Sequence, residues 1–163
     1  MTEAIFSTED IIEVSPATLI DLKRRAETAP RRRFRLCLHH FPADDLHEMV
    51  IVFCGDTYLR PHRHPKEKTE SYHIIEGTMT VLFFDDAGKP FRRIEMGPFG
   101  SGKTVLYRIN APAWHMPVAT SQFLVYHETF RGPHEKERDV EYAPWSPDET
   151  DAAGIAAFMR LVA

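Results

Sequence analysis

Two cysteines, Cys37 and Cys54, are all that the 163 residues contain, too few for the disulfide framework that staples a small secreted domain. Both read as packed thiols, since neither has a partner at metal-ligand spacing. A basic excess is missing as well. The 20 Lys and Arg stand against 24 Asp and Glu for a formal charge of −4, so there is no field of the kind that holds nucleic acid or an anionic membrane. The longest apolar run, residues 49–54, falls far short of the ~20 residues a membrane helix needs. The opening MTEAIFSTED lacks the positive segment and apolar stretch of a secretory leader, and neither a repeat nor a low-complexity linker interrupts the chain. A cytoplasmic protein without nucleic-acid or membrane partners is expected. A length near the ~150 residues of an average domain implies one domain, with 43% apolar residues to build its core.

What is plentiful is histidine, nine in all, a residue whose proton and ligand chemistry both fall near neutral pH. Ser15 followed by Pro16 reads as an N-cap with proline at the first helical position, and Leu19, Ile20, Lys23 and Ala26 keep helical spacing until Pro30. From Arg33 the period drops to two. Phe34, Leu36 and Leu38 alternate with Arg33, Arg35, Cys37 and His39, which predicts a strand with one wet face. Short apolar or alternating runs follow at 49–53, 58–64, 70–75, 78–84, 91–96, 104–109, 114–119 and 123–130. With turn residues between them they make about eight or nine strands, the pattern of an all-β barrel or sandwich. Beyond Gly132-Pro133 a charged stretch reads as a surface segment. Ser146-Pro147-Asp148-Glu149 reads as a capping box ahead of a C-terminal helix, with Ala152, Ile155, Phe158, Met159 and Val162 as its apolar stripe. The expected single domain, 1–163, thus comprises a helical lead-in at 1–30, a β-barrel at 31–132, and a surface segment with a helix at 133–163.

The densest chemistry lies between Gly55 and Gly77. Residues two apart on a strand share a face, so His62 and His64 turn to one side, where imidazoles bind a divalent metal. Glu70 opens the next strand and adds a carboxylate, and His115, just after the turn at 110–112, is the candidate fourth ligand. Three histidines and one glutamate leave an octahedral ion with open positions for water or substrate. Arg60 shares the parity of His62 if the strand is regular across Pro61. It then holds a substrate carboxylate or phosphate in the cavity, or else it is an exposed strand-end charge. Tyr72 shares the Glu70 face and is a candidate for substrate binding and for proton donation, whereas His73 points the other way. Of His127 and Glu128, near the end of the last strand, one faces inward and the sequence leaves open which; Glu128 is the second catalytic candidate. Arg31, Arg32 and Arg33 read as a solvated linker, with an anion-binding role unforced. Residues 97–104 match GxxxxGK[ST] letter for letter. A phosphate loop must open a helix, yet Val105, Tyr107 and Ile109 alternate as a strand does, so this is read as a glycine-rich hairpin loop without a nucleotide.

The set Gly55, His62, His64, Glu70 and Gly77 resembles the first motif of the cupins, with one extra residue before His62 and one before Glu70. His115 falls at the histidine of the family's second motif, where Pro112 and Ala119 replace its glycine and asparagine. A closer resemblance, over nearly the whole chain, is to the WbuC-type cupin-fold metalloproteins. It runs through Ala29-Pro30-Arg31-Arg32-Arg33, Arg60-Pro61-His62-Arg63-His64-Pro65, Glu70-Ser71-Tyr72-His73-Ile74-Ile75-Glu76-Gly77, Leu82-Phe83-Phe84-Asp85-Asp86 and Ala143-Pro144-Trp145. It implies a cupin-type double-sheet jelly-roll barrel with a short helix at each end, one divalent transition metal (iron, zinc, manganese or nickel) on His62, His64, Glu70 and His115, and a homodimer. The expected function is that of a metal-dependent enzyme, an isomerase, epimerase or dioxygenase, acting on a small polar, sugar-derived compound of O-antigen and lipopolysaccharide synthesis. The alternative is a non-catalytic metallocupin that binds or senses a sugar or metabolite.

Overall fold

The computed structural model describes residues 3–162. Their elements are β1 (Ala4–Phe6), α1 (Pro16–Thr28), β2 (Arg33–Cys37), β3 (Leu46–Cys54), β4 (His62–Arg63), β5 (Glu70–Glu76), β6 (Met79–Phe84), β7 (Pro90–Met96), β8 (Leu106–Ile109), β9 (Trp114–Ala119), β10 (Phe123–Arg131), α2 (Lys136–Asp139), β11 (Glu141–Tyr142) and α3 (Ala152–Val162). They form two facing sheets, one ordered β1-β2-β3-β10-β5-β8 and the other β11-β4-β9-β6-β7. The result is an all-β double-sheet jelly roll with helices on its outside. Among the described residues no helix is long and apolar enough to cross a membrane.

Alternation explains the layers. Ile51 and Phe53 of β3, Val81 of β6, and Leu124 and Tyr126 of β10 are buried together between the sheets. Strand β3 is apolar on both faces because both are covered: Val50, Val52 and Cys54 look outward beneath α1, where Leu22 and Ala26 bury against them. That double burial produces the continuous apolar run at 49–54. Helix α1 begins where the sequence places it. The Ser15 side chain accepts the Thr18 N–H at 3.2 Å and the Thr18 hydroxyl accepts the Ser15 N–H at 3.3 Å, closing a capping box. On the opposite side, Phe158, Met159 and Val162 of α3 cover Leu82, Phe84, Trp114 and Met116.

The structure departs from the sequence expectations in four places. The strand expected at 58–64 contracts to β4, since Pro61 and Pro65 on either side lack the N–H that a ladder needs. Helix α3 starts at Ala152 rather than behind Ser146. The Ser146 hydroxyl instead donates to the Ala143 carbonyl at 2.8 Å, and the Asp151 carboxylate caps the Gly154 N–H at 2.9 Å. The lead-in and the tail both enter the sheets, β1 parallel to β2 and β11 beside β4; strands this short carry no readable period. Finally, residues 97–104 open no helix, as expected, but they are not a hairpin loop. They carry the chain from β7 in one sheet to β8 in the other, and Lys103 Nζ is held by Glu95 at 2.5 Å. Gly77 makes a similar crossing from β5 to β6 at φ +79°, where a Cβ would collide with the Phe123 carbonyl.

Candidate metal centre and cavity

β4 and β9 bring His62 directly opposite His115 in the ladder, and the first residue of β5 presents Glu70 from the facing sheet. His64 joins them just past β4. The ring nitrogens of His62, His64 and His115 lie within 4.8 Å of one another, while Glu70 Oε1 is 2.8 Å from His115 Nε2 and Glu70 Oε2 is 3.4 Å from His64 Nε2. His115 and Glu70 are fully buried. The four residues nominated from the sequence therefore form one cluster.

Each imidazole is oriented by a backbone carbonyl. Nδ1 lies 2.9 Å from Arg60 O for His62, 2.6 Å from Asp139 O for His64 and 2.9 Å from Ala113 O for His115. A carbonyl only accepts, so Nδ1 carries the proton in all three rings and the Nε2 lone pairs are left free. His115 Nε2 and Glu70 Oε1 are both buried without a hydrogen-bond partner despite their closeness, because their alignment is not that of a hydrogen bond. Two buried lone-pair atoms this close would be satisfied by a cation that both could ligate. The donor set fits a divalent ion.

The electrostatics centre on Glu70: burial would lower His64, but the Glu70 carboxylate outweighs it and raises that imidazole, so the cluster draws positive charge. Burial, reinforced by the neighbouring His115 and His64, holds His62 well below the ordinary imidazole range, in the neutral form a metal needs. Burial would raise Glu70, but the facing His115 and His64 outweigh it and keep the carboxyl well below its usual range. Tyr72, as its parity implies, donates to Glu70 Oε2 at 3.1 Å, and burial followed by the Glu70 charge pushes its phenol upward, so it remains a neutral donor.

From this cluster a cavity of about 340 Å³ extends toward β2 and β10. The open choice on β10 is resolved: Glu128 stands opposite Met49 and Tyr72 and lines the cavity, whereas His127 faces outward, 3.5 Å from Glu48. Burial among apolar walls, then the Glu70 charge, raises the Glu128 carboxyl to about 8. Between its ordinary value of 4.5 and about 8 the folded protein keeps a proton that the unfolded chain has released, so this carboxyl's contribution, present at low pH, is lost as pH rises through that window. In metal-free protein, the thermal midpoint of Glu128→Gln is expected to gain on that of the parent between about pH 5 and 8 and to gain nothing further above about 8. Equal midpoint differences at both ends of the window would contradict the assignment.

Arg60 does not reach this cavity. Pro61 breaks the strand before it, and its guanidinium donates to Ser146 Oγ at 3.0 Å and Ala143 O at 3.2 Å, lies 3.4 Å from Asp148, and covers the Tyr142 ring at 5.3 Å. Arg60 clamps the 142–148 segment, and the substrate-binding role read for it is withdrawn. In the Arg31–Arg33 cluster, Arg31 and Arg32 stay solvated as read, while Arg33 is largely buried, and all three carry ion pairs. Arg33 pairs with Glu149 at 2.8 Å and Arg31 with Glu3 and Glu149, while Arg32, at φ +57°, meets Asp56 at 3.1 Å. What the sequence reading missed is the opposite wall: Arg35, His39, His47 and His134, with Lys136 from α2, all line the cavity. The alternation of Arg33, Arg35 and Cys37 was the available signal, because the wet face of this strand is the cavity face.

The model of a family described as a domain of unknown function, DUF6016, matches residues 14–96, a stretch that includes His62, His64 and Glu70 but not His115. No curated protein matches the sequence. Among solved structures, oxalate oxidase in complex with the substrate analogue glycolate superposes with a TM-score of 0.52 at 12% identity, over 82% of this chain and 68% of that one. Recombinant oxalate oxidase with glycolate gives 0.51 at 13% identity, over 72% and 58%. A structural-genomics protein of Shewanella oneidensis gives 0.51 at 9% identity, over 61% and 63%, so the chain spans less than two thirds of that protein's length. These likenesses show the fold, the cupin jelly roll.

Proposed function

We propose that this chain, which belongs to the family described as domain of unknown function DUF6016, is a metal-dependent cupin that takes a small polar compound into its barrel and acts on it chemically. The observation that carries the reading is the orientation of three imidazoles by three carbonyls, which leaves every Nε2 free beside the Glu70 carboxylate. His62, His64, His115 and Glu70 would hold the ion. When bound, a divalent metal supplies a Lewis acid that polarises a carbonyl or hydroxyl oxygen. The chain's own residues account for the rest. Tyr72 fixes the Glu70 carboxylate by its hydrogen bond, and Tyr126 and Phe130 line the wall beside it. Glu128, a carboxyl that exchanges its proton near neutral pH on the cavity wall, is positioned to give or take a proton, and it favours a reaction over binding alone. The resemblance to WbuC-type proteins supports a sugar-derived compound of lipopolysaccharide synthesis as the substrate.

Metal analysis of protein purified without added metal, by mass spectrometry, tests this. A near-stoichiometric transition metal is expected in the parent, with steep losses in His62→Ala and His64→Ala and clear losses in Glu70→Ala and His115→Ala. Removing a ligand costs more than the about 10–100-fold in affinity of removing an outer hydrogen-bond partner. Full occupancy in all four variants would refute the centre.

A further inference from the structure

On β2 the residues opposite the buried Phe53, Ile51 and Met49 are Arg33, Arg35 and Cys37, so this edge of the barrel turns arginine side chains toward the interior while Phe34 and Leu36 lie beneath α1. Arg31, Arg33 and Arg35 all line the cavity. Two of them are already matched, Arg31 with Glu3 and Glu149 and Arg33 with Glu149. Arg35 is not: among the described residues no carboxylate lies within ion-pair distance of it, and the same is true of Lys136, whose ammonium sits over the Tyr142 ring at 5.9 Å. Arg35 is exposed to solvent while it borders the cavity, and an arginine so placed with no acid to receive its fork of donors is arranged for a planar oxyanion entering from solvent. The cavity's own carboxyls do not supply one. Glu3 and Glu70 are committed to Arg31 and to the histidines, and Glu128 holds its proton near neutral pH even with the Arg35 charge acting on it.

We propose that Arg35 is the anion-recognition residue of the cavity, and that the compound reaching the histidine cluster is a small organic acid whose far end carries a terminal oxyanion, carboxylate or phosphate, for the Arg35 guanidinium. The inference rests on the metal reading above for the near end of the compound and on Arg35 alone for the far end. Sheet register sets the scale. Arg35 lies in the row of Ile51 and Tyr126, and Glu70, opposite Phe130, lies two rows along and three strands across from it, about 20 Å between Cα atoms on a flat sheet by ordinary strand spacing. The curvature of the barrel and the reach of the two side chains shorten that span to the length of a compound of several carbons. Lys136 and the partly exposed His134 border the same wall and would add donors to a phosphate more than to a carboxylate.

The test uses the full chain loaded with cobalt. Acetate, malonate, succinate, glutarate and phosphoglycolate are titrated while the visible bands and the heat of binding are followed. One of the two-ended anions is expected to bind at least 10-fold more tightly than acetate, with Arg35→Gln abolishing that preference, Arg35→Lys keeping part of it, and acetate binding alike in all three proteins. Phosphoglycolate ahead of the dicarboxylates assigns the far group as phosphate; the reverse order assigns a carboxylate. A preference for two-ended anions that survives Arg35→Gln overturns the proposal and leaves the metal reading intact. Absence of any two-ended preference in the parent overturns it likewise. Failure of the parent to bind cobalt with histidine-type bands sinks the metal reading instead, and Arg35-dependent binding of the same anions, read by calorimetry on that metal-free protein, then still decides the Arg35 assignment.

Discussion

Stripping the metal from the purified protein with a chelator is expected to lower its thermal midpoint by about 8–16 °C. An ion present at about a thousand times its dissociation constant stabilises the folded state by about 4 kcal/mol, and each kcal/mol moves the midpoint of a domain this size by about 2–4 °C. The effect should be large here because the apo site is uncomfortable: His115 Nε2 and Glu70 Oε1 face each other at 2.8 Å in a buried pocket with no hydrogen bond between them. Addition of zinc or manganese to the stripped protein should restore the midpoint, and His62→Ala should make it nearly insensitive to chelator. A midpoint unmoved by chelation in protein shown to have lost its metal would mean that the cluster is organised by the fold alone.

Asp139→Ala is expected to cost about 3–5 kcal/mol and to weaken metal binding by about 10–100-fold. Asp139 is wholly buried. Its carboxylate receives Lys68 Nζ at 3.1 Å, Arg138 Nε at 3.1 Å and the Glu135 N–H at 2.8 Å, and Lys68, itself 7% exposed, would be left as a buried unpaired charge. The backbone oxygen of the same residue orients His64, so loosening α2 frees that ring, the kind of outer-partner loss that costs one to two orders of magnitude in affinity. Denaturant unfolding and metal titration separate the two effects. Adding Lys68→Met to Asp139→Ala should recover most of the stability, since no charge is then stranded, without recovering the affinity. If affinity returns together with stability, Asp139 serves the fold only and His64 is positioned by something else.

The strands were legible wherever one face was dry and the other wet, as in β5, where Glu70, Tyr72 and Ile74 alternate with Ser71 and His73. His62, His64 and Glu70 were legible because their spacing is local. Arg60 misled because parity carries through a strand only while the strand continues, and Pro61 ends it. Arg35 was visible as part of a wet face and is exposed, but alternation reports only that a face is polar and not that it borders a cavity. Asp139 had no signal at all. A four-residue helix has no period, and its contact with His64 spans 75 positions of sequence.

That long separation bears on the order in which the protein is made. His62 and His115 take their orienting carbonyls from two residues back, Arg60 and Ala113, so each ring is set as soon as its own strand forms. His64 waits for Asp139, 75 positions further along. Contacts this far apart close late, because a long loop has to be ordered before they can form. A chain that stops before residue 139 is therefore expected to keep two prepared rings and one that swings freely, and to bind added zinc or cobalt more weakly than the full chain in a metal titration.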